Sequence, residues 1–242
     1  MKILGVSPYG DGWAAAQKLR DAGNKVVYYN PSGNTNGLGY LPSVPEAAWQ
    51  DYALKADLLV VDANFPSRAT RRSWSPSLDV LDLTQICRKG MTYIGPTPTS
   101  ELFENDLRYQ KKLLSRLGLS LQPPTIVEIA NALRFTISRD PDGRCYLVFR
   151  HRHLLADDNG PEIGNLGDIT IPIPVSCKLV YQTLRKVEPL LERLRFNGYI
   201  NLDTICTEAG ELLVHRLTSG FIYPAIFGQL AFLLGRQSEI NG

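Results

Sequence analysis

The sequence predicts an α/β protein: a parallel sheet with crossover helices, followed by an α+β region with antiparallel strands. Three observations carry this expectation. Residues 2–6, 25–29, 58–62 and 91–94 are short, largely continuous apolar runs, the pattern of strands buried on both faces of a parallel sheet. The segments between them are long enough for the crossovers that parallel neighbours require. Further along, runs at residues 134–138, 145–150, 169–173, 199–206 and 212–215 come with tight turns at Asp142-Gly143 and Ala209-Gly210, the mark of antiparallel hairpins.

The elements follow in order. Residues 13–22 read as a helix between the first two strands, ending near Gly23. Thr97 can cap a helix with Pro98 in its first position, running through Glu104 to about Leu117 and linking the two parts. Residues 178–196 form an amphipathic helix with Leu179, Leu184, Val187, Leu191 and Leu194 on one broad face. Pro189 inside it is expected to kink it or split it in two. Residues 225–234 are apolar on most sides and read as a final buried helix. The expected organisation is an N-terminal domain over residues 1–97, a linking helix over 98–121 and a second domain over 122–242.

Composition narrows the class. With 242 residues, 44% hydrophobic and 21% charged, the chain can bury a full core and is long enough for two compact domains. No apolar run approaches the roughly 20 residues that cross a bilayer, and the opening residues start a strand rather than a signal peptide, so a cytoplasmic protein without a membrane partner is expected. Cys87, Cys145, Cys177 and Cys206 are widely spaced with no Cys-x-x-Cys, which favours reduced thiols over disulfides or a zinc site. A net charge of +2 points to no particular partner. Arg68, Arg71 and Arg72 beside Trp74 mix basic and aromatic character, but the remainder of the chain is not basic, so they read as a solvated loop and no nucleic-acid partner is expected.

The most distinctive stretch is Gly160-Pro161-Glu162-Ile163-Gly164-Asn165-Leu166-Gly167, just after Asp157-Asp158. Three glycines in eight residues predict a shaped loop that admits a ligand close to the backbone, or a tight turn. Its spacing resembles the Gly-Pro-Asn-Thr-Gly-Gly-Met-Gly loop of the phosphoribosylamine–glycine ligase family, ATP-grasp enzymes also called glycinamide ribonucleotide synthetases. Other blocks are similar in the same order: Met1 to Gly5, leading through Gly10 to Lys18-Leu19; residues 57–66; Gly95-Pro96-Thr97 with Glu104, Lys111, Arg116 and Gly118 at the family's spacing; and residues 198–214. The resemblance touches most of the chain. It implies a Rossmann-like (pre-ATP-grasp) N-terminal domain followed by a reduced ATP-grasp-like domain.

The departures from the family bear on chemistry. The family supplies a small ATP-clamping lobe from a long segment, whereas here only about 25 residues separate the linking helix from the next strand, so most of that lobe is expected to be missing. Leu107 stands where the family has a lysine. His215, Arg216 and Leu217 stand in place of a Glu-Phe-Asn stretch that holds Mg²⁺ through hard oxygen ligands, and Gly220 to Pro224 replaces an acidic stretch. ATP hydrolysis in the family's manner is therefore not expected, and no metal ligand or catalytic residue is assigned.

Candidate ligand contacts remain. Gly10, Asp11 and Gly12 lie between the first strand and the first helix, where backbone N–H groups and the helix dipole favour an anion; alternatively the glycines only shape the turn, and Asp11 would repel a phosphate. Asn64 follows a buried strand, as a hydroxyl contact or a turn residue. His151 and His153 alternate on a strand, a spacing for metal binding or acid–base work, but without an evident third ligand; the resemblance implies a substrate contact at His151 or His153, and His153 is taken as the candidate. The resemblance also assigns ligand contacts to Asp158, Gly160, Pro161, Gly164, Asn165 and Gly167. Three functions compete. The first is a reduced relative that lost ATP chemistry and binds a phosphorylated sugar, nucleotide or protein partner in a cleft between its domains. The second is an active carboxylate–amine ligase using ATP and Mg²⁺, completed by a partner or second subunit. The third is a structural or interaction protein on the same scaffold. Self-association stays open, since a lost lobe leaves edges to cover.

Overall fold

A computed structural model describes residues 1–7, 12–30, 41–42, 45, 49–62, 92–96, 100, 103–104, 106–120, 133–153 and 162–222, with backbone alone at 50, 150–153 and 162–168. The chain divides into two compact units, Met1–Glu101 with Gln229–Gly242, and Leu102–Gly228. Among the described residues, no helix is long and apolar enough to cross a membrane.

The first unit holds a parallel sheet in the order β2-β1-β3-β4, made of β1 (Lys2–Val6), β2 (Lys25–Tyr29), β3 (Leu58–Val61) and β4 (Thr92–Ile94). All four residues of β3 are buried, as a strand covered on both faces requires. Helix α1 (Trp13–Asp21) follows β1, and α2 (Trp49–Lys55) precedes β3. Leu4, Val6, Leu59 and Val61 pack with Trp49, Ala53 and Tyr93 in one core cluster, where the Tyr29 and Trp49 rings stack with centroids 5.5 Å apart. Past the end of α1, Gly23 takes φ +88°, a left-handed turn that a side chain would resist, and the Asn24 amide donates to the Leu19 carbonyl at 2.8 Å.

The second unit holds an antiparallel sheet in the order β7-β6-β5-β8-β9: β5 (Leu133–Arg139), β6 (Cys145–His153), β7 (Glu162–Ile173), β8 (Ile200–Cys206) and β9 (Leu212–Ser219). Both expected hairpins form, with Gly143 at φ +83° and Gly210 at φ +78°. Buried Asp140 organises the first: one carboxylate oxygen accepts from the Asp142 and Arg144 N–H groups, and the other from the Tyr146 hydroxyl at 2.9 Å. Burial and that hydrogen bond raise the Tyr146 pKa, and burial raises that of Tyr199. Helices α3 (Leu107–Arg116), α4 (Lys178–Gln182) and α5 (Leu184–Arg193) supply Leu114, Val180, Leu184, Val187, Leu190 and Leu191 to a core against Phe135, Ile137, Ile200, Leu202, Val214 and Leu217.

Three expectations need correction. The linking helix is not continuous from residue 98 to 117. Asp106 is extended (φ −117°, ψ 93°) and its carboxylate accepts from the Arg108 and Tyr109 N–H groups, so it caps a new helix beginning at Leu107. The helix expected over residues 178–196 is split, but at Thr183 rather than Pro189; Thr183 lies at φ −127°, ψ −85°, and its hydroxyl donates back to the Leu179 carbonyl. The strand expected at residue 169 begins at Glu162, so residues 162–167 of the expected glycine loop are strand. The final helix expected over 225–234 lies outside the described residues. Cys145, Cys177 and Cys206 are free thiols, with Cys87 outside the described residues.

Candidate ligand site

The first unit's strand order places its topological switch point between β1 and β3, because the chain leaves β1 toward β2 on one side and returns to β3 on the other. In open parallel sheets ligands bind at the carboxyl ends of the strands flanking such a point. Here those ends carry Ser7 and Asp62, both buried, with Asp62 4% exposed. The Ser7 hydroxyl donates to Asp62 Oδ2 at 2.6 Å and accepts from the Gly12 N–H at 3.0 Å. Gly12 is the N-cap of α1. A Cβ there would lie 2.5 Å from Asp62 Oδ2, so the carboxylate sits directly against the helix start because residue 12 has no side chain. An amide, a hydroxyl and a carboxylate thus run in line at the positive end of the helix dipole.

The second unit has a polar locus on the sheet face opposite its helices. Register places Thr136, Asp203 and Arg216 in one row across β5, β8 and β9, and Ser138, Asn201 and Thr218 in the next. Thr136 donates to Asp203 Oδ1 at 2.6 Å and Ser138 to Asn201 Oδ1 at 2.7 Å, while the Asn201 amide donates to the Gly220 carbonyl at 2.9 Å. A register shift after Asp203 makes His215 the extra residue of a β-bulge and sets Arg216 opposite Asp203. Arg216 Nη2 lies 3.2 Å from Glu104 Oε1, with the two side chains 43% and 25% exposed. Buried Gln110 positions this pair: its amide donates to the carbonyls of Phe103 and Leu217, the residues next to Glu104 and Arg216. Leu217 is fully buried in the core.

Of the expected contacts, Gly12 lies at the first locus. His153, Gly164, Asn165 and Gly167 fall together on the adjacent strands β6 and β7 of the second unit. There Gly167 pairs with His151 and Glu162 with His153, so two steps along β6 match five along β7 and the glycine stretch bulges. Gly10, Asp11, Asn64, Asp158, Gly160 and Pro161 lie outside the described residues. Ser7, Asp62 and Gln110 were not singled out as site residues from sequence. The available signal for the first two is a polar residue immediately after a buried parallel strand. Among the described residues no group of three His, Cys, Asp or Glu is arranged to hold a metal.

No protein-family model matches the chain, and no curated protein does. Solved structures do. The phosphoribosylaminoimidazole carboxylase ATPase subunit from Aquifex aeolicus is 12% identical, with a TM-score of 0.57 over 92% of this chain and 70% of that one. Phosphoribosylamine–glycine ligase from Thermotoga maritima is 13% identical, with a TM-score of 0.61 over 93% of this chain and 70% of that one. The biotin carboxylase domain of a single-chain bacterial carboxylase is 11% identical, with a TM-score of 0.55 over 92% of this chain and 62% of that one. These are ATP-grasp enzymes of differing activities, and at such identities the likeness speaks for the fold rather than for any one activity. The parallel sheet followed by the antiparallel sheet is an ATP-grasp-like α/β fold.

Proposed function

We propose that the protein is a reduced relative of the ATP-grasp ligases that binds a phosphorylated sugar or nucleotide and does not carry out ATP-dependent ligation. The observation that carries this reading is at β9. The resemblance puts the oxygen ligands of Mg²⁺ at positions 215 and 217; here Leu217 turns into the core, and between them Arg216 offers a guanidinium already held by Glu104. A dication there would meet a fixed positive charge and a side chain with no lone pair, so these residues do not fit a metal-bound ATP. The chain length between α3 and β5 agrees: residues 117–132 are all that separates Arg116 from Leu133, too few for a nucleotide-clamping lobe. The switch-point site of the first unit remains for a ligand.

The test is a thermal-shift screen against ribose 5-phosphate, AMP, ADP and Mg-ATP, since a ligand that binds only the folded state stabilises it by RT ln(1 + [L]/Kd). The reading expects stabilisation by a phosphorylated sugar or nucleotide without a requirement for Mg²⁺. Stabilisation by Mg-ATP alone, with ADP formed when an amine and a carboxylate are added, would replace it with the ligase reading.

A further inference from the structure

We infer that the outward face of α3 is a docking surface for an acidic segment of a partner protein. The inference concerns the second unit alone and is independent of the ligand reading above. Helix α3 turns Gln110, Leu113 and Leu114 inward, where the leucines pack in the core and the Gln110 amide bonds the Phe103 and Leu217 carbonyls. That fixes which residues face out. With about 3.6 residues per turn the opposite side holds Arg108, Lys111, Lys112, Ser115 and Arg116, all exposed and none acidic. Lys186 of α5 extends the row, since its Nζ donates to the Gly118 carbonyl at 2.6 Å, just past the end of α3. Among the described residues, the side chains of Arg108, Lys111, Lys112 and Arg116 make no ion pair and no hydrogen bond. Asp106, the carboxylate nearest in sequence, is committed to the Arg108 and Tyr109 backbone N–H groups.

The helix itself loses by this arrangement. Arg108, Lys112 and Arg116 follow at i, i+4 and i+8, so like charges neighbour one another along one face, and Arg108 stands in the first turn, at the positive end of the helix dipole. A bound polyanion removes a repulsion that the free protein carries. The geometry also selects the kind of polyanion. Cations about 6 Å apart along a face about 12 Å long match carboxylates repeated every fourth residue of an acidic helix or every second residue of an extended strand. A membrane fits less well, because the apolar side of α3 is consumed by the core and leaves nothing to insert. A nucleic acid also fits less well: one helix face is a narrow positive strip on a chain of net charge +2, and the neighbouring Tyr109 ring is already stacked on Phe103, with centroids 6.3 Å apart.

The experiment follows the fluorescence anisotropy of labelled oligoglutamate titrated with the full chain at low salt, beside labelled oligouridylate and co-sedimentation with phosphatidylserine vesicles. The wild-type protein should bind oligoglutamate saturably and more tightly than oligouridylate, with binding weakened by added salt. Arg108→Glu/Lys112→Glu/Arg116→Glu should lose at least tenfold in affinity. Lys55→Glu/Lys178→Glu/Arg193→Glu reverses exposed cations elsewhere with the same change in net charge, and should stay within about twofold of wild type. Thermal unfolding checks that both variants fold; Arg108→Gln/Lys112→Gln/Arg116→Gln, which keeps good helix formers, should show a loss in the same direction and replaces the first variant where charge reversal disturbs folding. No binding of oligoglutamate by the wild-type protein, or equal losses in the α3 and control variants, overturns the inference. Tighter binding of oligouridylate or of the vesicles, lost in the α3 variant, gives the face to a nucleic acid or a membrane and overturns it as well.

Discussion

Replacing Gly12 by alanine tests the packing of the first unit's site directly. Gly12 has φ −74° and ψ 0°, a backbone that alanine adopts without strain, so stiffening the unfolded chain would by itself stabilise the protein by about 0.4–1 kcal/mol. The new Cβ, however, would lie 2.5 Å from Oδ2, 2.9 Å from Cγ and 3.1 Å from Cβ of Asp62. Asp62 must move. Overpacking of this kind costs about 1–3 kcal/mol, and withdrawing the acceptor from the buried Ser7 hydroxyl adds about 1–3 kcal/mol, so a net loss of about 1–6 kcal/mol is expected. All three tryptophans, Trp13, Trp49 and Trp74, belong to the first unit, so urea unfolding followed by tryptophan fluorescence reports on it. The double variant Gly12→Ala/Asp62→Ala removes the colliding carboxyl group and should be more stable than the sum of the single effects by about 1–2 kcal/mol. Gly23→Ala provides the contrast, with no atom within 4 Å of the new Cβ but φ at +88°, so its cost of about 1–2 kcal/mol comes from handedness and is independent of Asp62. Wild-type stability in Gly12→Ala, or strict additivity with Asp62→Ala, would refute the packing argument.

Other consequences can be measured alongside. Asn201→Ala takes the acceptor from Ser138 and the donor from the Gly220 carbonyl in a buried row, and should cost about 2–4 kcal/mol by thermal unfolding. Leu184→Ala removes a fully buried side chain of α5, opens a cavity in the core and should cost about 2–5 kcal/mol, read by the same assay. Burial pushes the Cys145 thiol up from 9.0 to about 11, so alkylation at pH 8 should spare it until the protein unfolds, while half-buried Cys177 and Cys206 react first. The same shift makes stability fall as pH rises from about 9 to 11, because the native thiol keeps its proton where the unfolded one loses it; the loss reaches about 2 kcal/mol, and Cys145→Ala should flatten that part of the profile.

The legible parts of the fold are those set locally. Runs such as Leu58–Val61 are apolar throughout, and a strand buried on both faces has no other pattern to show. Asp142-Gly143 and Ala209-Gly210 announce their turns because only glycine holds the positive φ found there. Distant pairing was less visible. Gly164, Asn165 and Gly167 carry turn signals, yet all three lie within β7, where Gly167 pairs with His151. The Asp106 break was signalled by a good N-cap residue but hidden behind the apolar periodicity on either side of it. At the site, Gly12 stood out by type, whereas Ser7 and Asp62 are 55 residues apart and ordinary separately. Gln110 likewise joins Phe103 to Leu217, the latter 107 residues away from it, and no local pattern marks it.

The central claim is ligand binding without metal-dependent ATP chemistry, and the most direct measurement is calorimetric titration of the protein with Mg-ATP and with ribose 5-phosphate under one set of conditions. The account predicts saturable heat with the sugar phosphate, unchanged by a chelator, and no binding of ATP that depends on Mg²⁺. Saturable binding of ATP that requires Mg²⁺ and disappears with the chelator would contradict it, because Arg216 and Leu217 would then be compatible with the metal site they are argued to exclude.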